Sequence, residues 1–125
     1  MRLVDTSSWV EYLRDRESTV GDSIEVLVLR GEAAWCHITL VELWHGVRGA
    51  KEKRELAEME NEIEHIPIDA AVWRLASSLA LRSREKGINV PISDIIIAAC
   101  AATHGLELEY CDNHFDALLP LANSL

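Results

Sequence analysis

Short apolar runs alternate along this chain with longer segments in which apolar residues recur every three or four positions. Met1 to Asp5 is short and apolar and predicts a first strand. Thr6, Ser7 and Ser8 offer caps for a helix that turns Trp9, Val10 and Leu13 inward. A second helix is expected over roughly Val20 to Arg30, stopping at Gly31. Ala33 to Ile38 reads as a second strand, followed by helices from Thr39 to about Gly49 and from about Lys51 to Glu62. His65 to Ile68 is a short strand closed by Pro67 and Asp69. The clearest helix runs from Ala70 to Lys86, with Val72, Leu75 and Leu79 at helical spacing and Gly87 as its stop. Ser93 to His104 is apolar nearly all round, which predicts a buried helix, and Gly105 ends it. Leu106 to Cys111 is a last strand, and no extent is assigned to the segment after Asp112. Strands alternating with helices predict an α/β chain with a largely parallel sheet covered by helices.

Composition narrows this picture. The 125 residues fit one domain spanning 1–125, with no linker, repeat or low-complexity stretch. Hydrophobic residues at 49% and charged residues at 26% are ordinary for a globular protein. No apolar stretch is long enough to span a bilayer, and the first residues lack a signal-peptide pattern, so no membrane association and a cytoplasmic location are expected. Cys36, Cys100 and Cys111 are odd in number and lack Cys-x-x-Cys spacing; they read as reduced thiols, the first two in the core. A net charge of −9 excludes a simple nucleic-acid-coating protein, which would be basic. It leaves room for an enzyme that meets nucleic acid through bound cations, or for a basic protein partner.

Four acidic residues then stand out by position. Asp5, Glu42, Asp94 and Asp112 each sit where an apolar run hands over to a helix start. In a parallel α/β sheet those handovers share one edge, where ligands bind. Each acid has an ordinary reading. Asp5 and Asp112 can be helix caps, Thr39-Leu40-Val41-Glu42 fits a capping box, and Asp94 can complement a helix dipole. Together the four are harder to explain as caps. Asp5 and Asp94 have strongly apolar neighbours, where an unpaired charge is costly to bury. A shared hard divalent cation with oxygen ligands satisfies all four at once. Carboxylate sites select magnesium or manganese over zinc, and such ions polarise phosphoryl oxygens and activate water. The reaction class this predicts is metal-assisted phosphodiester hydrolysis with water as nucleophile.

The remaining features have competing readings. Arg48, Lys51, Lys53 and Arg54 suit phosphate contacts, yet Glu52, Glu55 and Glu58 stand at pairing distance along the same helix. Arg82, Arg84 and Lys86 suit phosphate equally, or a helix carboxyl end. His114 either touches substrate or is a surface or capping histidine. Trp9, Trp35, Trp44 and Trp73 read as core or dimer surface, with base stacking open for Trp44. Glu42-x-x-His45 and Glu62-x-x-His65 share the spacing of di-iron helix bundles, but Pro67 and the strand-like runs do not fit four long helices. A phosphoacceptor signalling domain also places an Asp at a strand end; its paired acids after the first strand and its late Lys are missing here.

Val4-Asp5-Thr6-Ser7, Ile38-Thr39-Leu40-Val41-Glu42-Leu43-Trp44-His45-Gly46, Asp94-Ile95-Ile96-Ile97-Ala98-Ala99 and Asp112-Asn113-His114-Phe115 resemble the PIN-domain ribonucleases. The nearest subgroup is the VapC-type toxins of type II toxin–antitoxin modules, and the likeness covers essentially the whole chain. It implies a single-domain three-layer α/β/α sandwich with a mostly parallel central sheet. It also implies a Mg2+- or Mn2+-dependent endoribonuclease acting on RNA, a homodimer, and inhibition by a cognate antitoxin. Carried over, Asp5, Glu42, Asp94 and Asp112 are the catalytic, metal-binding acids, with Thr6, Arg48 and His114 as substrate-binding positions. Tyr110 departs from the Thr or Ser that usually stands two residues before the last Asp. Asn113 occupies one place where a further acid often follows, and Asp116 is another candidate for that acid. The alternative is a catalytically silent PIN fold that binds protein partners, against which the four intact acids argue.

Overall fold

A computed structural model describes all 125 residues. Four short strands form one parallel sheet: β1 (Arg2–Val4), β2 (Ala33–Cys36), β3 (Glu64–Ile66) and β4 (Glu107–Glu109). Their order across the sheet is β3-β2-β1-β4. Helices α1 (Thr6–Arg14), α2 (Thr19–Leu29), α3 (His37–Gly46), α4 (Gly49–Glu62), α5 (Ala70–Glu85), α6 (Ile92–Thr103) and α7 (His114–Ser124) fill the intervals.

Because successive strand residues point to opposite faces, the sheet separates two apolar cores. Leu3, Cys36 and Leu108 face α5, α6 and α7, with Val72, Leu79, Ile97, Phe115 and Leu118 buried there. Val4, Ala33 and Trp35 face the other way, against Trp9, Tyr12, Ile24, Leu40, Leu43 and Leu56 of α1 to α4. A parallel sheet needs both faces covered, and the three-layer α/β/α arrangement provides it. Cys36 and Cys100 are buried, as expected, whereas Cys111 is exposed. Trp9 and Trp35 are core residues, while Trp44 and Trp73 remain 37% and 51% exposed. No helix is long and apolar enough to cross a membrane.

Several boundaries move, and one move changes a residue's role. The β2 run stops at Cys36 and α3 begins at His37, so Thr39 is a fully buried first-turn residue rather than the cap. The Thr39–Glu42 capping box is therefore absent. The apolar run carried straight from strand into helix because Leu40 and Leu43 are core in their turn. Asp5 caps α1, one of the readings its position allowed, in place of Thr6, Ser7 or Ser8; its side chain accepts from the Ser8 amide. Trp9 and Tyr12 are the fully inward residues of α1, with Val10 and Leu13 half-buried beside them. The segment after Asp112 contains α7, whose buried Phe115, Leu118, Leu121 and Ala122 keep helical spacing around the exposed Pro120.

Gly21 sits in the first turn of α2, hard against the preceding loop. A Cβ there would stand 2.1 Å from the Asp15 carbonyl oxygen. Gly to Ala inside an open helix gains about 1 kcal/mol. At this position the clash dominates, and Gly21→Ala is expected to destabilise the protein by roughly 1–3 kcal/mol. Urea denaturation checks this; an unchanged or raised midpoint would contradict the close approach.

Candidate functional site

The chain runs from β1 outward to β2 and β3, then returns to place β4 on the far side of β1. The strand order reverses between β1 and β4, and in such sheets a crevice opens at the carboxyl ends of the strands at that point. Asp5 follows β1 directly and Asp112 follows β4 by three residues. Glu42 lies on α3, beyond β2, and Asp94 lies in the first turn of α6. All four line one open cleft of about 340 Å3, together with Thr6, Ser7 and Ser93. The structure brings the four predicted acids together.

Each acid is held by identifiable contacts. Asp5 is only 2% exposed; it accepts from the Ser8 amide at 3.0 Å and from the Ser7 hydroxyl at 2.6 Å. Its own amide donates to the Glu109 carbonyl at 3.0 Å, tying the start of α1 to the end of β4. The Thr6 hydroxyl lies 2.8 Å from Glu42 Oε1 and 3.1 Å from Thr39 Oγ1. Its single proton goes to the charged acceptor, so Thr6 orients Glu42 into the cleft. Asp112 accepts from the His114 amide at 3.0 Å, which starts α7.

His114 joins two of the acids. Its Nδ1 is 2.8 Å from Asp94 Oδ2 and 3.1 Å from Asp112 Oδ1. Ligand atoms of Asp94, Asp112 and His114 all fall within 4.8 Å of one another. Burial pushes the Asp94 carboxyl above its ordinary range; the His114 hydrogen bond opposes this, and repulsion from Asp112 and Asp5 adds to it. The raised Asp94 pKa thus reports its burial first and its carboxylate neighbours second.

The other expectations separate cleanly. Arg48 is exposed at the α3–α4 corner, outside the cleft lining, where its amide donates to Glu52. Lys51 pairs with Glu55, and Arg82 with Glu85. Asp116 is not in the cleft; it accepts from the Tyr110 hydroxyl at 2.7 Å, and that hydrogen bond raises the Tyr110 pKa. Trp44 donates to Glu60 of α4. The supporting roles of Ser7 and Thr39 were missed because Thr-Ser-Ser after a strand reads as a set of caps, and Thr39 reads as one too.

A hard divalent cation fits this donor set. The ion pairs of Lys and Arg lie elsewhere, at Arg2, Arg16, Lys51 and Arg82, and none reaches the four acids. Crowded carboxylates with a single imidazole between them are what such an ion neutralises.

Comparison with known proteins points the same way. The PIN domain family matches residues 2–118. The chain is 30% identical over 127 residues to ribonuclease VapC11 of Mycobacterium tuberculosis, covering 98% of this chain and 95% of that one. Among solved structures it is similar to VapBC2 of Rickettsia felis bound to a promoter DNA fragment, with a TM-score of 0.79, 20% identity, and coverage of 93% and 91%. VapBC-5 of M. tuberculosis, a member of the VapBC toxin–antitoxin family, aligns with a TM-score of 0.67 at 25% identity over 94% and 89% of the two chains.

Proposed function

The chain belongs to the PIN-domain family, among relatives named VapC ribonucleases, and from that membership we propose that it is the endoribonuclease toxin of a type II toxin–antitoxin pair. The observation that carries the reading is the meeting of Asp5, Glu42, Asp94 and Asp112 in one cleft at the switch point of the sheet. Mg2+ or Mn2+ is the cation, held by these acids. When bound, it would supply a Lewis acid for a phosphoryl oxygen and ease deprotonation of the water that attacks phosphorus.

The protein's own part is positioning. Ser7 and Ser8 fix Asp5 through both its oxygens, and Thr6 fixes Glu42. Thr6 and Ser7 at the start of α1 and Ser93 and Asp94 at the start of α6 line the cleft, so the amino-terminal ends of two helices stand at it, and a helix start favours an approaching phosphate. Asp94 sits in the first turn of α6, where the field of the helix start works against the burial that favours its protonated form. RNA is the substrate and the cytoplasm its place of action. A cognate antitoxin is the partner, as the toxin–antitoxin complexes among the structural neighbours suggest. A homodimer completes the reading, and the exposed apolar side chains of Trp73 and Ile92 support it.

The test is incubation of purified protein with a mixed RNA pool and Mg2+ or Mn2+, followed by mapping of fragment ends. Internal cuts without 2′,3′-cyclic phosphate are expected, because water rather than the neighbouring 2′-hydroxyl attacks. Chelation should stop the cutting, and cation added in excess should restore it. Cyclic-phosphate ends, or cutting indifferent to chelation, would contradict the mechanism.

A further inference from the structure

His114 stands apart from the four acids because it is the only nitrogen donor beside them. Its Nδ1 faces Asp94 Oδ2 at 2.8 Å and Asp112 Oδ1 at 3.1 Å. Two neighbouring ligands of an octahedral ion, each about 2.1 Å from it, lie about 3 Å apart. The imidazole thus holds, relative to each carboxylate, the separation that adjacent ligands of one ion adopt. The ring is anchored there, since the His114 amide is itself bound to Asp112 and Phe115 beside it is fully buried.

On the reading of the cleft as a nuclease centre, we propose that His114 is a direct ligand of the cation, through Nδ1, alongside Asp94 and Asp112. The consequence is a choice of metal. A purely oxygen site serves Mg2+ and Mn2+ alike, whereas imidazole suits transition ions and adds little for Mg2+. The chain therefore prefers Mn2+ by more than four carboxylates alone would give.

A merely structural His114, which only holds the carboxylates apart, would matter equally for both ions, so the ratio of affinities distinguishes the two roles. The experiment uses the full chain, stripped by chelation and titrated with Mn2+ followed by EPR, with Mg2+ measured by competition. His114→Asn is expected to weaken Mn2+ binding roughly tenfold or more while changing Mg2+ binding by less than about threefold. Wild-type protein with bound Mn2+ should show nitrogen coupling in pulsed EPR, changing when histidine is labelled with 15N; this needs no variant to fold. Equal weakening of both ions, or no nitrogen coupling, overturns the proposal and leaves the nuclease reading intact. Wild-type protein that binds neither ion overturns both.

Discussion

Asp94→Asn is expected to reduce RNA cleavage by two to three orders of magnitude or more while making the cation-free protein more stable near neutral pH. On the proposed mechanism Asp94 is a charged ligand of an ion contributing several kcal/mol to the transition state, at about 1.4 kcal/mol per factor of ten, and the first effect follows from its removal. The second follows from the raised pKa of Asp94, which burial causes and the nearby Asp112 and Asp5 reinforce. An acid whose pKa is raised on folding binds more protons folded than unfolded. Its ionisation therefore costs stability as pH rises above the unfolded value, near 3.9. Asn carries no charge to repel its neighbours and keeps an acceptor for His114. Denaturation in chelator at pH 4 and pH 7 checks the sign: the variant's advantage should grow toward pH 7. A variant less stable at both values would mean that the Asp94–His114 contact outweighs the repulsion.

Phe115→Ala is expected to produce the largest loss of stability, about 3–5 kcal/mol. The ring is fully buried in the core between the sheet and α5 to α7, with its centroid 5.4 Å from that of Tyr110. That loss is a large fraction of the roughly 5–15 kcal/mol that holds a domain together. Thermal unfolding should fall by on the order of 10 °C or more. The same substitution should weaken cation binding at temperatures where the protein stays folded, because His114 and Asp112 lose the packed turn behind them. Phe115→Leu, which keeps most of the volume, should recover much of both. A loss below about 1 kcal/mol with unchanged cation affinity would show that α7 is not an integral part of the core.

The sequence made the element order legible chiefly through its stops and its periodicities. Gly31, Gly87 and Gly105 close helices α2, α5 and α6 with φ of 67°, 72° and 64°, a conformation that favours glycine. The boundary between β2 and α3 was illegible for a different reason. Ala33 to Leu43 holds core residues on both sides of the strand-to-helix change, and apolar content alone does not separate a buried strand from a buried helix. Helix α7 escaped because Pro120 interrupts an otherwise regular pattern. Proline in an interior turn removes an amide donor and argues against a helix, yet Pro120 lies on the exposed face here.

For the site, Asp5 and Asp112 were legible because they follow β1 and β4. Asp94, by contrast, opens a helix that follows α5 with no strand before it, and Glu42 lies in the second turn of α3; the fold still brings all four to one cleft. Their supporting cast was not legible. Thr6 meets Glu42 across 36 positions and His114 meets Asp94 across 20, contacts that no local pattern encodes. Glu42 shows the limit most clearly. Its spacing from Thr39 is that of a capping box, but the helix starts two residues earlier, Thr39 is buried, and the carboxylate turns to Thr6. Arg48 shows the converse: proximity to Glu42 along the chain does not bring it into the lining of the cleft.

The central claim is that the clustered carboxylates cut RNA through a bound cation, and Asp5→Asn tests it most directly. Asn is about as good a helix cap as Asp, so this substitution removes the charge while keeping the amino-terminal end of α1 in place. The measurement is the rate of internal cleavage of one RNA by wild-type and Asp5→Asn protein, with matched circular dichroism, in Mn2+ and after chelation. Cleavage that depends on the cation and is lost in Asp5→Asn is the predicted result; cleavage that survives both the substitution and the chelator would contradict the account.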